Sequence, residues 1–178
     1  MRLYGLETDF YYDINKYLSN HENDFGLYDT YITILYYGLS QNVLISNDEF
    51  PFYRGGVISR KEYKFLDDNQ GKKIYLSCKN FLSFSRNENE ANKFLTKNLI
   101  CDNSLFPAKY VINIFEKSDD IGNLMSNIEM RHYSGFASEE EVLFLPLSVF
   151  KLIKTSEEEF QGKKIKKISL NYVGMLFK

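Results

Sequence analysis

The sequence predicts an α+β fold in which helices come first and a run of strands follows. Apolar residues recur at helical spacing over the first 48 residues, whereas from residue 50 onward they alternate at the two-residue spacing of strands. Elements segregated in this way are typical of α+β folds rather than of doubly wound sheets. A chain of 178 residues, 44 % of them hydrophobic, is long and apolar enough for one packed domain.

Two amphipathic helices are predicted near the start of the chain. Their apolar side chains recur at helical spacing over residues 10–18 and again over residues 27–39. We interpret the aromatic residues on these faces as core. The single domain of residues 1–178 is therefore expected to consist of a helical wall (1–48) and a β-rich core (49–178).

The first predicted strand, within residues 50–56, ends in a basic residue and two glycines. Gly55 and Gly56 carry no side chain, so a ligand or another backbone can approach this strand closely. The planar guanidinium of Arg54 suits a phosphate or a carboxylate, which it binds through paired hydrogen bonds. The alternative is a surface arginine before a turn.

Two serine-led segments follow this strand. Ser59 to Glu62 fits a capping box at the start of a short helix, and Ser85 to Glu88 fits another. Ser85 thus has a structural role as a helix N-cap. Ser83, on the same predicted strand, is a hydroxyl among apolar neighbours and needs a hydrogen-bond partner of another kind.

About seven strands are expected in total. Residues 102–107 are predicted to form a loop, and residues 116–138 a long irregular connection of the kind that is usually functional. The strands after the first are predicted at residues 74–77, 80–85, 110–115, 138–146, 149–153 and 165–173.

A run of three acids leads directly into an apolar segment, residues 142–146, that ends in proline. An unbroken apolar run of this length predicts a strand buried on both faces. Because side chains alternate along a strand, Glu139 and Glu141 are expected on one face and Glu140 on the other. Glu141 would then lie at the edge of the core, where a carboxylate needs a partner. The alternative is a charged strand end in solvent.

Other classes of function find little support. The net charge of −2 argues against nucleic-acid binding, and the lysine cluster at residues 163–167 is interpreted as the solvated flank of a late strand. Phosphate-binding and dinucleotide-binding glycine motifs are absent from the sequence, and two histidines cannot form a histidine-based metal cluster. No signal peptide or membrane-spanning segment is recognised, so we expect a soluble monomer, cytoplasmic or secreted as an effector. Cys78 and Cys101 are expected to be reduced thiols, although a disulfide between them stays open.

What remains is an arginine, a serine and paired glutamates on three strands. Such a set can clamp an anion, orient a hydroxyl and stabilise an oxocarbenium-like transition state. The segments that carry it resemble the Arg, Ser-Thr-Ser, Glu-X-Glu signature of mono-ADP-ribosyltransferases. They occur in that family's order: Tyr53-Arg54-Gly55, Phe81-Leu82-Ser83-Phe84-Ser85 and Glu139-Glu140-Glu141-Val142-Leu143.

The resemblance implies amino-terminal helices packed on a mixed, mostly antiparallel two-sheet core that binds NAD without a metal. Tyr53, Gly55, Ser85 and Ser134 would belong to the NAD site, where Gly55 would let the backbone meet nicotinamide. The resemblance also implies four further roles. Arg54 would bind the NAD phosphate, and Ser83 would bond to the ribose and hold the catalytic glutamate. Glu141 would bind the ribose and stabilise the oxocarbenium ion, and Glu139 would position or deprotonate an arginine acceptor.

One departure from the family's motif is the phenylalanine in place of threonine at residue 84. Alternation along the strand predicts that Phe84 faces the core, which leaves the site intact. Phe94 is expected in a helix core, with stacking on nicotinamide as the alternative. The resemblance implies transfer of ADP-ribose from NAD to a protein arginine. The alternatives are NAD hydrolysis, a different acceptor, or a silent module that binds NAD or a protein.

Overall fold

The structure, a computed structural model, describes residues 9–20, 30, 32–34, 37, 50–116, 127–129 and 140–175. The α+β class is confirmed in this part of the chain. The helices described over their full length are α1 (Asp9–Asn20), α2 (Arg60–Asp68) and α3 (Glu88–Lys97). Residues 30, 32–34 and 37 are also helical, within the second predicted helix.

The described strands form one mixed sheet in the order β2-β7-β8-β4-β1-β3-β6-β5. Strands β4 and β8 pair in parallel, and the other described pairs are antiparallel. The strand β8, although late in the chain, lies in the interior of the sheet between β7 and β4. The strand bounds are β1 (Phe52–Ser59), β2 (Tyr75–Ser77), β3 (Leu82–Ser85), β4 (Leu105–Phe115), β5 (Asn127–Glu129), β6 (Glu141–Phe144), β7 (Ser148–Phe160) and β8 (Lys163–Met175).

The sheet has a narrow joint in place of the predicted division into two sheets. Strand β1 pairs with β4 at eight consecutive positions, from Phe52 opposite Ile112 to Ser59 opposite Leu105. The register between β1 and β3, in contrast, consists of Tyr53 opposite Ser85. The described strands therefore form two parts, β2-β7-β8-β4-β1 and β3-β6-β5, that meet at this joint.

An aromatic cluster holds the two parts together. The Phe144 ring of β6 is fully buried, and its centroid lies 5.1 Å from that of Tyr172 on β8. The ring centroids of Phe84 on β3 and Phe150 on β7 each lie 5.4 Å from the Phe144 centroid, and that of Phe52 on β1 lies 6.2 Å from it. Each such pair contributes about 0.5–1.5 kcal/mol beyond the area it buries. Five strands thus share one core across the joint.

Two local predictions are wrong for physical reasons. Helix α3 is capped by Asn87, whose side chain accepts from the Asn89 amide, whereas Ser85 Oγ accepts from the Asn87 amide in a turn before the helix. Residues 102–107, predicted as a loop, contain the start of β4, because β1 continues to pair with β4 there. The predicted capping box at Ser59 and Glu62 is confirmed.

The lysine cluster of residues 163–167 lies on β8, as predicted. Glu157 faces Lys166 and Glu159 faces Lys164 across the β7/β8 hairpin. Opposite charges at directly facing positions stabilise an antiparallel pair. None of the described helices is long and apolar enough to cross a membrane.

Helix α3 packs directly on β1 at Gly55. A Cβ atom at this position would lie 2.1 Å from the carbonyl oxygen of Ala91 and 2.6 Å from the amide nitrogen of Leu95. Both helix residues are buried, with exposed fractions of 2 % and 0 %. The packing of α3 on β1 therefore requires glycine at residue 55.

We predict that Gly55→Ala lowers the free energy of unfolding by about 1–3 kcal/mol, because a methyl group would force the helix backbone away from β1. Gly56→Ala is the matched control, since its Cβ would meet only the Tyr110 ring, at 4.0 Å, among the described residues. Urea denaturation of the two variants measures the difference. Equal stability of both would contradict this account of the packing.

Candidate active site

The three motifs of the sequence lie on three neighbouring strands, β1, β3 and β6. Tyr53 is opposite Ser85, and Ser85 is opposite Glu141. Residues directly opposite in an antiparallel pair have Cβ atoms about 4.5–5.5 Å apart on the same face. The phenol, the hydroxyl and the carboxylate therefore form a row across the joint of the sheet.

Arg54 bridges the joint from the next position of β1. Its Nη1 atom donates to the carbonyl oxygen of Ser83 over 2.7 Å. The register between β1 and β3 consists of the pair Tyr53 and Ser85. The Arg54 guanidinium therefore adds a second link between these two strands, at Ser83. An arginine has five N–H donors, so donors remain for an anion.

The two serines of the motif lie on the same face but at different distances from Glu141. Ser83 is opposite Leu143, one diagonal step from the glutamate, whereas Ser85 is directly opposite it. The register thus brings Ser85 closer to the carboxylate than Ser83, to which the family resemblance assigned the role of holding it.

Phe84 faces the core, as alternation predicted. It is 4 % exposed and packs on Phe144 and Phe150, on the side of the strand away from Ser83. The substitution of the family's threonine therefore leaves the serine face of β3 unobstructed. Phe94 on α3 is only half-buried, with the Lys97 ammonium 4.8 Å from its ring centroid.

The acidic run departs from the predicted alternation. Strand β6 begins at Glu141, which is half-buried, and Val142, Leu143 and Phe144 are fully buried as predicted. Glu140 is exposed and has a φ of 48°, in the left-handed region, while its carbonyl oxygen accepts from the Arg86 amide. Residues other than glycine adopt this backbone rarely, and such outliers cluster at functional sites.

Two predicted site residues, Glu139 and Ser134, lie outside the described residues. Their assignments stay predictions. The predicted role of Gly55 toward nicotinamide also stays a prediction, and the packing of α3 gives this glycine a structural reason of its own.

A buried ion-pair network supports the site, and sequence reasoning missed it. The Lys109 ammonium on β4 lies 3.0 Å from Glu88 at the start of α3 and 2.6 Å from Glu158 on β7. Burial by itself would lower the pKa of Lys109, but the hydrogen bonds and charges of Glu158 and Glu88 outweigh it and raise the pKa. The two ion pairs of Lys109 tie the start of α3, the helix that follows the serine strand, to β4 and β7.

Burial affects two other groups near Arg54 and the joint. It raises the pKa of the Tyr53 phenol, with the Glu88 charge adding to the effect and Lys109 opposing it. It also raises the pKa of the Cys78 thiol, against a hydrogen bond from the Asn80 backbone and the charge of Arg54. Both groups are therefore protonated at neutral pH, and Cys78 and Cys101 are free thiols, as expected.

The described residues contain no group of three or more His, Cys, Asp or Glu side chains arranged to hold a metal ion. What they offer is a guanidinium, two hydroxyls and a carboxylate around a joint between strands. This arrangement can bind an anion and stabilise a developing positive charge.

Solved structures of bacterial toxins are similar to this chain. The Vis toxin of Vibrio splendidus, an ADP-ribosyltransferase, solved in complex with agmatine, has a TM-score of 0.61 and 18 % identity, covering 93 % of this chain and 69 % of that one. Plx2a, an ADP-ribosyltransferase toxin of Paenibacillus larvae, has a TM-score of 0.63 and 13 % identity, covering 97 % of this chain and 83 % of that one.

Exoenzyme S of Pseudomonas aeruginosa, in complex with human 14-3-3 protein beta and bound to carba-NAD, is also similar. Its TM-score is 0.57 at 18 % identity, covering 96 % of this chain and 70 % of that one. No protein-family model matches the sequence, and no curated protein matches it significantly. The chain thus has the fold of bacterial ADP-ribosyltransferase toxins, which is the fold that the resemblance of the three motifs implied.

We predict that Lys109→Met lowers the free energy of unfolding by about 1–3 kcal/mol at pH 7, because two carboxylates lose their buried cation. The Lys109 charge holds the pKa of Glu158 down against burial, so this stabilisation is present above the ordinary glutamate pKa, 4.5. It is lost as pH falls through the lowered value in the folded state. Urea denaturation between pH 3 and 7 should show the variant and the wild type converging in acid.

The control for this experiment is Lys164→Met. Lys164 is 83 % exposed on its side chain and lies 3.8 Å from Glu157, so its removal should leave stability unchanged. A stability difference between Lys109→Met and the wild type that does not shrink in acid would show that Glu158 is not the partner that matters.

Proposed function

We propose that this chain is a mono-ADP-ribosyltransferase that moves ADP-ribose from NAD to a protein arginine and releases nicotinamide. The observation that carries the proposal is the register that places Ser85 opposite Glu141, next to the strand that presents Arg54. The fold shared with ADP-ribosyltransferase toxins supports it. The carba-NAD bound to exoenzyme S supports NAD as the co-substrate.

Arg54 binds the pyrophosphate of NAD in this proposal. Its bond to the Ser83 carbonyl holds the guanidinium at the joint, so the planar fork is oriented before the substrate arrives. A preorganised arginine loses less conformational freedom when it forms paired hydrogen bonds with phosphate oxygens. Tyr53, directly opposite Ser85, places its protonated phenol on the face of Ser85 and Glu141.

Glu141 stabilises the charge that develops on the ribose. The glycosidic bond between ribose C1′ and nicotinamide N1 breaks, and its electron pair neutralises the pyridinium ring. Positive charge then develops on the ribose, and a half-buried carboxylate stabilises it more strongly than one in water. Ser85 and Ser83, on the same face, orient Glu141 and the ribose hydroxyls.

The acceptor then attacks C1′ and loses a proton. We assign orientation and deprotonation of a guanidinium to Glu139, and a further NAD contact to Ser134, on the family resemblance. The structure of Vis with agmatine, a small guanidinium compound, supports an arginine-like acceptor. NAD hydrolysis, transfer to another residue and a silent binding module are the alternatives, and incubation with labelled NAD and agmatine separates them.

We predict that Glu141→Gln slows nicotinamide release and agmatine labelling by about 10²–10³-fold, because the developing cation loses its counter-charge. Glu140→Gln is the matched control, since Glu140 is an exposed neighbour whose described contact is made by its backbone. Chromatography of nicotinamide and radiolabelled agmatine measures both reactions. A wild-type protein that releases no nicotinamide and labels no acceptor would contradict the enzyme proposal.

The proposed division of labour between the two glutamates has its own test. Glu139→Gln should abolish agmatine labelling while NAD hydrolysis continues, because water needs no orientation of a guanidinium. The same two assays apply. Equal loss of both reactions in this variant would place Glu139 in the cleavage step instead.

We also predict that Arg54→Lys weakens NAD binding by about tenfold or more. An ammonium is a point charge that cannot form the paired bonds of a guanidinium, and it would not span the joint to Ser83 in the same way. Calorimetric titration with NAD measures the affinity. An unchanged NAD affinity in this variant would contradict the proposal that Arg54 binds the pyrophosphate.

A further inference from the structure

A short corner, residues 85–88, joins the strand β3 to helix α3. Its first residue, Ser85, lies directly opposite Glu141 on β6. Its last residue, Glu88, is the first residue of α3, and the Glu88 carboxylate lies 3.0 Å from the Lys109 ammonium on β4. The corner therefore connects the proposed catalytic carboxylate to a buried cation that the proposed chemistry does not use.

The two middle residues of the corner are held by hydrogen bonds. The Asn87 amide donates to Ser85 Oγ over 2.9 Å, and the Asn87 side chain caps α3. The Arg86 amide donates over 3.2 Å to the carbonyl oxygen of Glu140, the residue whose backbone is left-handed. Because a left-handed backbone persists only where its surroundings hold it, this bond helps to fix the start of β6. The corner thus contacts both Glu141 and the residue before it.

Lys109 lies on the same face of the sheet as the row of candidate site residues. It is directly opposite Gly55, on which α3 packs, and Gly55 is two positions from Tyr53 in the row. The Lys109 side chain is 7 % exposed, and its second carboxylate partner, Glu158 on β7, lies 2.6 Å away. A cation buried between carboxylates of two elements makes strong, directed hydrogen bonds to both. It therefore holds the start of α3 in place relative to the sheet.

The charges of this ion pair partly cancel at the row. Burial raises the pKa of the Tyr53 phenol, the charge of Glu88 raises it further, and the charge of Lys109 lowers it. Since the two charges oppose each other there, we expect the pair to affect the site through the position of the corner rather than through its field.

We propose that Lys109 is a positioning residue for Glu141, acting through Glu88 and the corner of residues 85–88. This inference rests on the proposed function, in which Glu141 stabilises the charge that develops on the ribose. The ion pair keeps the corner from shifting, and the corner keeps the first residue of β6 in its catalytic position. A displacement of about 1 Å, caused far from the chemistry, can cost 10²-fold in rate.

The test replaces Glu88 by glutamine, which removes the charge on the corner and leaves the pair between Lys109 and Glu158 intact. We expect Glu88→Gln to lower kcat for nicotinamide release by about tenfold, with a change in NAD affinity of less than about twofold. Lys109→Met should show the same split, and Lys109→Arg, which keeps the charge, should restore most of kcat. Initial rates at saturating NAD and calorimetric titration measure the two quantities.

The matched control is Lys93→Met. Lys93 pairs with Glu90 over 2.7 Å within α3, so its replacement weakens the same helix without touching the link to β4. Its kcat should equal that of the wild type. A fall in kcat as large as that of Glu88→Gln would show that the stability of α3 in general, rather than the pair with Lys109, sets the rate, and would overturn the inference.

Amide hydrogen exchange separates this inference from the proposed function, because it needs no catalysis. The Arg86 amide, bonded to Glu140, should exchange about tenfold or more faster in Glu88→Gln than in the wild type, and at the wild-type rate in Lys93→Met. Unchanged exchange in Glu88→Gln, or an unchanged kcat in that variant, would overturn the inference alone. A wild type that releases no nicotinamide would overturn the proposed function and the catalytic role of Lys109 with it.

Discussion

The structure depends on how its two groups of strands are joined. A single register pair, Tyr53 with Ser85, links β1 to β3, and the aromatic cluster around Phe144 supplies the burial that so short a pairing lacks. Such a joint leaves polar backbone beside a packed core. Backbone polar groups at the joint need hydrogen-bond partners, and the Arg54 guanidinium supplies one by donating to the Ser83 carbonyl. The residue proposed to bind the substrate thus also stabilises the joint.

The sequence predicted those parts of the fold that depend on local pattern. Helices α1 and α2, the buried strand β6 and the inward direction of Phe84 follow from periodicity and capping chemistry. It did not predict that β4 begins at Leu105, because pairing with β1 extends that strand through Pro107. The joint was missed for the same reason, since pairing between distant strands leaves no mark in local spacing.

For the candidate site too, local motifs predicted some residues, whereas others come together only through pairing between distant parts of the chain. Arg54, Ser85 and Glu141 were found because each belongs to a short motif, and the register then made Ser85, rather than Ser83, the direct neighbour of the glutamate. Lys109 was missed because its partners, Glu88 and Glu158, are distant in sequence and converge only through folding. The two adjacent glycines look alike in the sequence, yet α3 packs against Gly55, whereas a Cβ at Gly56 would meet only the Tyr110 ring, at 4.0 Å, among the described residues.

The interior position of β8 has a consequence for how this chain is made. Residues 163–175 pair with β7 on one side and with β4, some sixty residues earlier, on the other. During translation the outer edge of β4 therefore has no partner until those late residues have left the ribosome. Non-local parallel pairing is slow, and an unpaired strand edge favours aggregation. The sheet thus stays incomplete until residues 163–175 have been made, and the exposed edge of β4 needs protection by a chaperone over that interval.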